Sequence, residues 1–497
     1  MNILFILADQ FRVDCLGHMG HSLVRTPNLD QLAQGGTSFS HCFNQTAPCG
    51  PSRASIYSGR YMCSTRSLNN LTPLRDAEEN FGFALRQHGY NPGLIGYNDY
   101  TIDPALLPPG NPRLTNLSYA NVLPGFDRVY YHEYDSDEYF EWLRCKGYPE
   151  ELLSHAAIHA PDVPPEGPGE HLPEHFPARY RKEESECWYV TDRALQYLAE
   201  QGKKGNENWV LSLNYIKPHP PNICCGPYCD MYDPAAVPAA LRRDEDLEPS
   251  HPALQLLAGR ALQNERHLRE YRACYYGMIS ELDDNLGRLF EYLRQTDQWD
   301  DTLIIFSADH GEHLGDHYLT GKGHLYDGGM RIPYIVRDPS PQADSSRGQI
   351  CDNLVEAIDT APTILDALGL DPPDRFHGRS VLPLLHGDAT YQPKKAIFYE
   401  YDYRSAGMSA ATAAGRPPNP EQHLLWVVRD QRYKYVHFAD ETLPPLLFDL
   451  EADPGEFDNV ATHPDYREAV LHCCQQLLRW RMVHEDQRME NWARQYR

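Results

Sequence analysis

A chain of 497 residues can bury a large core and carry one big domain with an appendage. Its 70 acidic residues outnumber 45 Lys and Arg, a formal net charge of −25; this argues against nucleic acid or an anionic membrane as the main partner and demands a local positive site for any anionic ligand. No apolar run reaches membrane-spanning length, residues 1–7 show no basic segment or cleavage signal, and the 13 cysteines are odd in number and irregularly spaced, so the expected setting is a reducing cytoplasm.

In chain order, the apolar run at 3–7 predicts a strand, and a punctuated helix follows. Thr26 caps it, Pro27 suits its first turn, Leu29, Leu32 and Ala33 give an apolar face, and Gly35 ends it. Strands at 93–96, 209–215 and 303–306 alternate with helices at 81–87, 188–201, 268–295 and 360–368, the signature of an α/β sheet. The Pro-rich connections 106–113 and 160–177 read equally as substrate-shaping insertions or plain surface excursions. After Leu385, His386 and Gly387 the pattern changes to strands at 396–401, 424–429 and 433–438 and a helix from Tyr466 onward. This predicts a catalytic unit at 1–387 and a smaller α+β unit at 388–497. The end, 480–497, sets Trp480, Met482 and Trp492 among charges and docks either on its own chain or on a second copy as an oligomer contact. The Ala-rich piece 409–415 is too short to count as low-complexity sequence.

Four polar clusters follow predicted strands: Asp9-Gln10, Tyr97 to Asp99, Lys217-Pro218-His219 and Asp309-His310. Parallel α/β sheets bind ligands outside the carboxyl ends of their strands, so these clusters are expected to share one crevice. Asp9, Asp309 and His310 offer oxygen and imidazole donors of the kind that hold a divalent cation. Cys49-Gly50-Pro51-Ser52-Arg53 reads as the start of a helix, whose free N–H groups favour an anion, with Arg53 adding a charge-assisted contact. A cysteine there also fits a thiolate nucleophile. Cys224, Cys225 and Cys229 lack the second paired half of a zinc site, and the adjacent Cys473 and Cys474 read as packing residues.

Cys49 to Arg53, followed by Ser58-Gly59-Arg60-Tyr61, resembles the sulfatase signature. The resemblance runs from Asn2-Ile3-Leu4 through Thr26 to Asp30, Ser307 to Glu312, Asp359 to Thr363 and Gly378-Arg379-Ser380 to Phe448-Asp449-Leu450 and Asp453 to Glu456. It implies an alkaline phosphatase-like fold, a large mixed sheet flanked by helices. It also implies oxidation of Cys49 to formylglycine by a formylglycine-generating enzyme, and one divalent metal ion. Asp9-Gln10 and Asp309-His310, in place of Asp-Asp and Asp-Asn pairs, resemble the phosphonate monoester hydrolase and phosphodiesterase branch, and Asn70, Tyr97 and Lys322 fall where that branch contacts substrate. A homo-oligomer is an expectation that rests mainly on this resemblance. The chain departs from the sulfatase pattern in lacking a Gly-Lys element after Gly96-Tyr97, and from the branch in carrying Asp99 where Thr is usual; Asp99 is therefore left out of the site.

The implied ligand set is Asp9, Gln10, Cys49, Asp309 and His310, with Mn²⁺ or Ca²⁺ as the metal. Arg53 and Lys322 would stabilise the transferring group, His219 would protonate or bind the leaving oxygen, and Lys217 either assists His219 or extends outward. The expected substrate is a small anionic ester: a phosphonate monoester or phosphodiester, with aryl sulfates as secondary substrates. A dedicated sulfatase is the alternative, and a non-catalytic metal- or anion-binding protein a third reading. A two-metal phosphatase site would draw on His313, His317 and His324, but such enzymes carry Ser or Thr where Cys49 stands.

Overall fold

The computed structural model describes residues 1–74, 76–114, 121–134, 136–163, 171–205, 208–247, 249–257, 263–323, 325–402 and 424–485. Residues 164–170 of one Pro-rich connection, the Ala-rich piece 409–415, His324 and Trp492 lie outside them.

Strand Asn2–Ala8 is buried along its whole length, because it sits inside a sheet covered on both faces. It pairs in parallel with Thr302–Ala308 on one side and Val210–Tyr215 on the other, and Val210–Tyr215 pairs in parallel with Gly93–Gly96. Asp127–Tyr131 closes that edge. Tyr334–Arg337, Thr37–Phe39 and Gln349–Cys351 extend the other, with Tyr334–Arg337 antiparallel to both its neighbours. The result is an eight-stranded mixed sheet, and all four strands that carry the polar clusters are adjacent and parallel.

Helices Phe81–Gln87, Glu186–Lys203, Glu265–Gln295 and Thr360–Ala367 match the periodic segments to within three residues at each end. Helix Pro27–Gly35 buries Leu29, Leu32 and Ala33 as expected. Its cap is different: Thr26 Oγ1 accepts from Gly17 N at 2.8 Å and donates to Asp30. The helix N–H groups of Asn28 and Leu29 donate instead to the Asp283 carboxylate, at 3.1 and 2.8 Å. A long-range acceptor thus replaced the local one, and it fastens this helix to Glu265–Gln295.

Toward the C-terminus, Ile397–Asp402, Leu424–Arg429, Tyr433–Phe438 and Leu446–Asp449 form an antiparallel four-stranded sheet; the fourth strand carried too short an alternation to be read from sequence. Both faces are buried. Ile397, Tyr399, Leu425, Val427 and Val436 pack on Phe43, Leu325 and Met330. The alternate residues Phe398, Trp426, Val428 and Tyr435 pack on helix Arg467–His484 through Cys473, Leu477 and Trp480. Trp480 therefore docks on its own chain, stacked on Phe398 with ring centroids 5.0 Å apart. Beneath the sheet, Lys434 Nζ bonds Asp327 at 2.9 Å and Glu456 at 2.5 Å, and Arg429 Nε reaches Asp327 at 3.2 Å.

Candidate active site

The parallel register places Ala8 beside both Ala308 and Tyr215, so the residues that follow emerge at one edge of the sheet. Two backbone features turn the chain there. Gln10 adopts φ 65°, uncommon for a residue with a side chain and typical of strained functional turns. Gly96 adopts φ +88°, and a Cβ on it would stand 2.1 Å from the Asn214 carbonyl oxygen, so only glycine fits ahead of Tyr97.

Helix Cys49–Ser58 starts at this edge and buries every residue. Cys49 Sγ lies 3.7 Å from Asp9 Oδ1, 3.3 Å from His310 Nε2 and 2.7 Å from Lys322 Nζ. Donor atoms of Asp9, Cys49, Asp309 and His310 all fall within 4.8 Å of one another. The carboxylates are aimed by their outer oxygens. Asp9 Oδ2 accepts from Tyr97 Oη at 2.5 Å and Arg53 Nη2 at 3.2 Å. Asp309 Oδ2 accepts from Arg53 Nε at 3.0 Å, and its Oδ1 from the Gln10 and His310 amides. Asp9 Oδ1 is left facing Cys49 and His310.

The electrostatics are those of a site short of positive charge. Burial would raise the Asp9 carboxyl, but His219, Lys322, His310 and Arg53 hold it well below the usual range. Asp309 then carries the strain: burial and the Asp9 charge push it up to about 7 against the pull of Arg53 and Lys322. Burial, helped by Lys322, lowers His310 to about 3, so its imidazole is neutral. Its Nδ1 sits 3.1 Å from the Gly311 carbonyl oxygen and donates to it, which leaves the Nε2 lone pair pointing at the cluster. Two carboxylates and a neutral imidazole aimed at one point fit a divalent cation.

Gln10 Nε2 is held by Glu312 Oε2, so Oε1 is the atom of that amide left as a donor to a cation. Glu312 was missed as a positioning residue. It is 0 % exposed, accepts from Gly321 N at 2.6 Å and Tyr271 Oη at 3.2 Å, and so ties Gln10 to the loop carrying Lys322. Its only sequence signal was proximity to Asp309.

Several expected contacts take another form. Arg53 is 0 % exposed and its donors are committed to Asp9, Asp309, Asn214 and the Tyr97 carbonyl, with Asp99 Oδ2 at 3.5 Å. It therefore neutralises the carboxylates from behind, where a contact with the transferring group was expected. The Tyr97 hydroxyl is likewise spent on Asp9, and its ring lies 4.1 Å under the Arg53 guanidinium. Asp99 turns to Arg53, which accommodates the extra carboxylate; burial, reinforced by Glu133 and Asp9, raises it well above the ordinary value despite Arg53. Asn70 does reach the helix start, accepting from Gly50 N at 3.0 Å, which leaves its Nδ2 as a donor.

His219 Nδ1 lies 2.7 Å from the Pro220 carbonyl oxygen and 3.1 Å from Tyr134 Oη. Burial and then Lys322 lower its pKa to about 4, against Asp9. With Nδ1–H given to Pro220, Nε2 carries a lone pair, so His219 accepts a hydrogen bond until it is protonated. Lys217 does neither thing expected of it: it is 3 % exposed and bonds Glu281 at 3.2 Å and Tyr180 Oη at 2.8 Å, an internal pair. His317 stacks on Tyr326 with centroids 3.9 Å apart, and His313 Nε2 meets the Gly323 carbonyl, so neither joins the cluster. All 13 cysteines are free, and Cys224 faces Cys274 at 3.9 Å without a metal-ligand grouping among the described residues. Cys474 donates to Tyr435 Oη, and Cys473 is buried under the C-terminal sheet.

The sulfatase family model matches residues 1–370, and the model of the N-sulphoglucosamine sulphohydrolase C-terminal region matches 315–483. A multifunctional alkaline phosphatase superfamily protein, PehA, of Trinickia caryophylli is 37 % identical over 517 residues, covering 99 % of this chain and 97 % of its own. An arylsulfatase of Clostridium perfringens is 25 % identical, covering 94 % and 92 %. The crystal structure of the phosphonate monoester hydrolase of Agrobacterium radiobacter superposes with a TM-score of 0.89 at 37 % identity, covering 98 % and 96 %. The chain thus belongs to the sulfatase family within the alkaline phosphatase superfamily, beside the phosphonate monoester hydrolases, and is an ester hydrolase.

Proposed function

We propose that this enzyme hydrolyses phosphonate monoesters and phosphodiesters, with aryl sulfates as secondary substrates, using one divalent cation and formylglycine made from Cys49. The observation that carries the reading is the position of Cys49: at a helix start, with Lys322 Nζ at 2.7 Å on one side and the Asp9, Asp309 and His310 donors on the other. That arrangement joins a nucleophile position to a cation site and a fixed positive charge.

Asp9, Asp309, His310, Gln10 Oε1 and the side chain at position 49 would hold the cation, for which the mixed oxygen and imidazole set suits Mn²⁺ better than Ca²⁺. When bound it supplies Lewis acidity and positive charge at the ester oxygens. Oxidised Cys49 supplies geminal hydroxyls as the nucleophile. Lys322 neutralises charge at position 49 and on the incoming anion, and Asn70 Nδ2 is a neutral donor beside it. Arg53 and Tyr97 hold the carboxylates in place. In its protonated form His219 would donate from Nε2 to the leaving oxygen as the ester bond breaks, with Nδ1–H still held by the Pro220 carbonyl. A formylglycine-generating enzyme is the required partner. We further read residues 1–387 as the catalytic unit and 388–497 as the second unit, in a cytoplasmic homo-oligomer; among the described residues, no helix is long and apolar enough to cross a membrane.

The sulfatase model spanning residues 1–370 favours a dedicated sulfatase as the second reading. Peptide mass spectrometry across Cys49, on enzyme co-expressed with a formylglycine-generating enzyme, tests the nucleophile; kcat/KM for aryl phosphonate, phosphodiester and sulfate esters tests the substrate class. An unmodified thiol at full activity would overturn the first, and a strong preference for the sulfate ester the second.

A further inference from the structure

A second group of metal-ligand side chains lies outside the cluster around Cys49. Helix His155–Ile158 and its capping residue present His155 and His159, four positions apart and therefore on one face. Glu186 opens helix Glu186–Lys203, and His132 directly follows strand Asp127–Tyr131. The donor atoms of His155, His159 and Glu186 lie within 4.8 Å of one another. His159 Nε2 is 3.2 Å from Glu186 Oε2, while His132 Nε2 and His155 Nε2 are 3.2 and 3.9 Å from Oε1.

These contacts have the distance of hydrogen bonds without the alignment. His159 is 5 % exposed, His132 1 % and Glu186 4 %, and neither His159 Nε2 nor either ring nitrogen of His132 makes a well-aligned hydrogen bond, although, against burial, His159 and His132 hold the Glu186 carboxyl well below its ordinary value. The reason is visible at His159: its Nδ1 lies 2.9 Å from the His155 carbonyl oxygen and donates to it, so Nε2 presents a lone pair to a carboxylate oxygen. Two electron pairs facing each other in a buried space repel unless something positive lies between them. A tetrahedral zinc ion separates neighbouring nitrogen and oxygen ligands by roughly 3.3 Å; the His159 to Glu186 spacing of 3.2 Å matches it, and His155, at 3.9 Å, closes in by a small movement of its partly exposed side chain. The same tautomer, with Nδ1–H on a backbone carbonyl, is the one that metal-binding histidines adopt.

We propose that His155, His159 and Glu186 bind a second divalent transition-metal ion of the zinc type, with His132 against the other Glu186 oxygen. Imidazole-rich donors select such an ion over Ca²⁺ or Mg²⁺. The ion ties the connection carrying His155 and His159 to helix Glu186–Lys203 and to the segment after strand Asp127–Tyr131. That segment holds Tyr134, whose ring meets His155 at 4.6 Å and whose hydroxyl is 3.1 Å from His219 Nδ1. The ion is structural, and it steadies the support of His219 without touching the ester.

The test is zinc stoichiometry by elemental analysis on full-length protein, stripped with chelator, reloaded and desalted, independently of activity. Wild type should hold one equivalent more than His159→Ala, Glu186→Gln or His155→Ala. The last change is the mildest, because that side chain is partly exposed. Cobalt loading of the wild type should add tetrahedral visible bands that His155→Ala lacks. Equal stoichiometry in wild type and folded variants would overturn the site. So would the absence of tetrahedral cobalt bands in the wild type, leaving a protonated histidine as the partner of Glu186.

Discussion

Lys322 Nζ stands 2.7 Å from Cys49 Sγ, across 273 positions of sequence. The contact sets the charge around position 49: burial and Asp9 push the thiol well above its ordinary value, and Lys322 is the main group opposing them. Burial notwithstanding, Cys49, Asp9 and Asp309 keep the lysine protonated, pushing its own pKa upward.

Replacing this lysine should therefore be costly to the chemistry and cheap to the fold. Lys322→Ala is expected to lower kcat/KM by about 100- to 1,000-fold, the range for loss of one donor aimed at developing charge, with Lys322→Arg recovering part. Steady-state kinetics normalised to the fraction of modified Cys49 checks this; near-wild-type activity in the Ala variant would place Lys322 outside the reaction.

Arg53 lies among Asp9, Asp309 and Asp99, and its guanidinium is fully buried. Arg53→Met strands carboxylates without compensation, at a cost of about 3–5 kcal/mol. Because the deficit is one of positive charge, added Mn²⁺ should raise the melting temperature of the variant more than that of the wild type. Thermal scans with and without metal decide it, and an equal rise in both would count against a neutralising role.

The ion group that ties Asp327 to strands Leu424–Arg429 and Tyr433–Phe438 makes a separate prediction. Burial would raise the Asp327 carboxyl, but Lys434 and then Arg429 hold it well below the ordinary range. Lys434→Met should cost about 3 kcal/mol by leaving Asp327 and Glu456 facing each other. Chemical denaturation should show a lower midpoint, and limited proteolysis should cut first near the C-terminal sheet.

Glu400, 3 % exposed, accepts from Cys63 N at 2.6 Å, and burial raises its pKa from 4.5 to about 7 against Arg481. The folded value lies above the unfolded one, so the contribution to stability is complete below about pH 4.5 and is lost as pH rises through about 7. Glu400→Gln should flatten this dependence, with a change of at most about 3 kcal/mol across the window. Parallel wild-type and variant stability curves between those pH values would refute the assignment.

The convergence of Asp9, Tyr97, His219 and Asp309 was legible because each follows an apolar run, and adjacent parallel strands deliver their ends to one edge. The direction of Arg53 was not, since a helix start gives its position but not which of three distant carboxylates it will meet. Thr26 looked like a cap by its neighbours alone, and Asp283, 253 positions beyond Asp30, could not be weighed against it from local pattern. Strands of two or three residues, such as Cys42–Phe43 and Thr37–Phe39, are too short for any alternation to register. His132, the His155 and His159 pair and Glu186 come from three separate segments, and the four-residue spacing of His155 and His159 was the one local signal.

Cys49 is 5 % exposed in the finished fold, enclosed by groups from residues 9, 310 and 322. Two of those three lie more than 250 positions downstream. While the chain is being made, Cys49 emerges long before its enclosure exists, and once strand Thr302–Ala308 docks the door shuts. The oxidation proposed for this thiol would work against a clock set by folding, so slower folding or a later-docking strand should raise the fraction converted, and premature closure around residues 9, 310 and 322 should lower it.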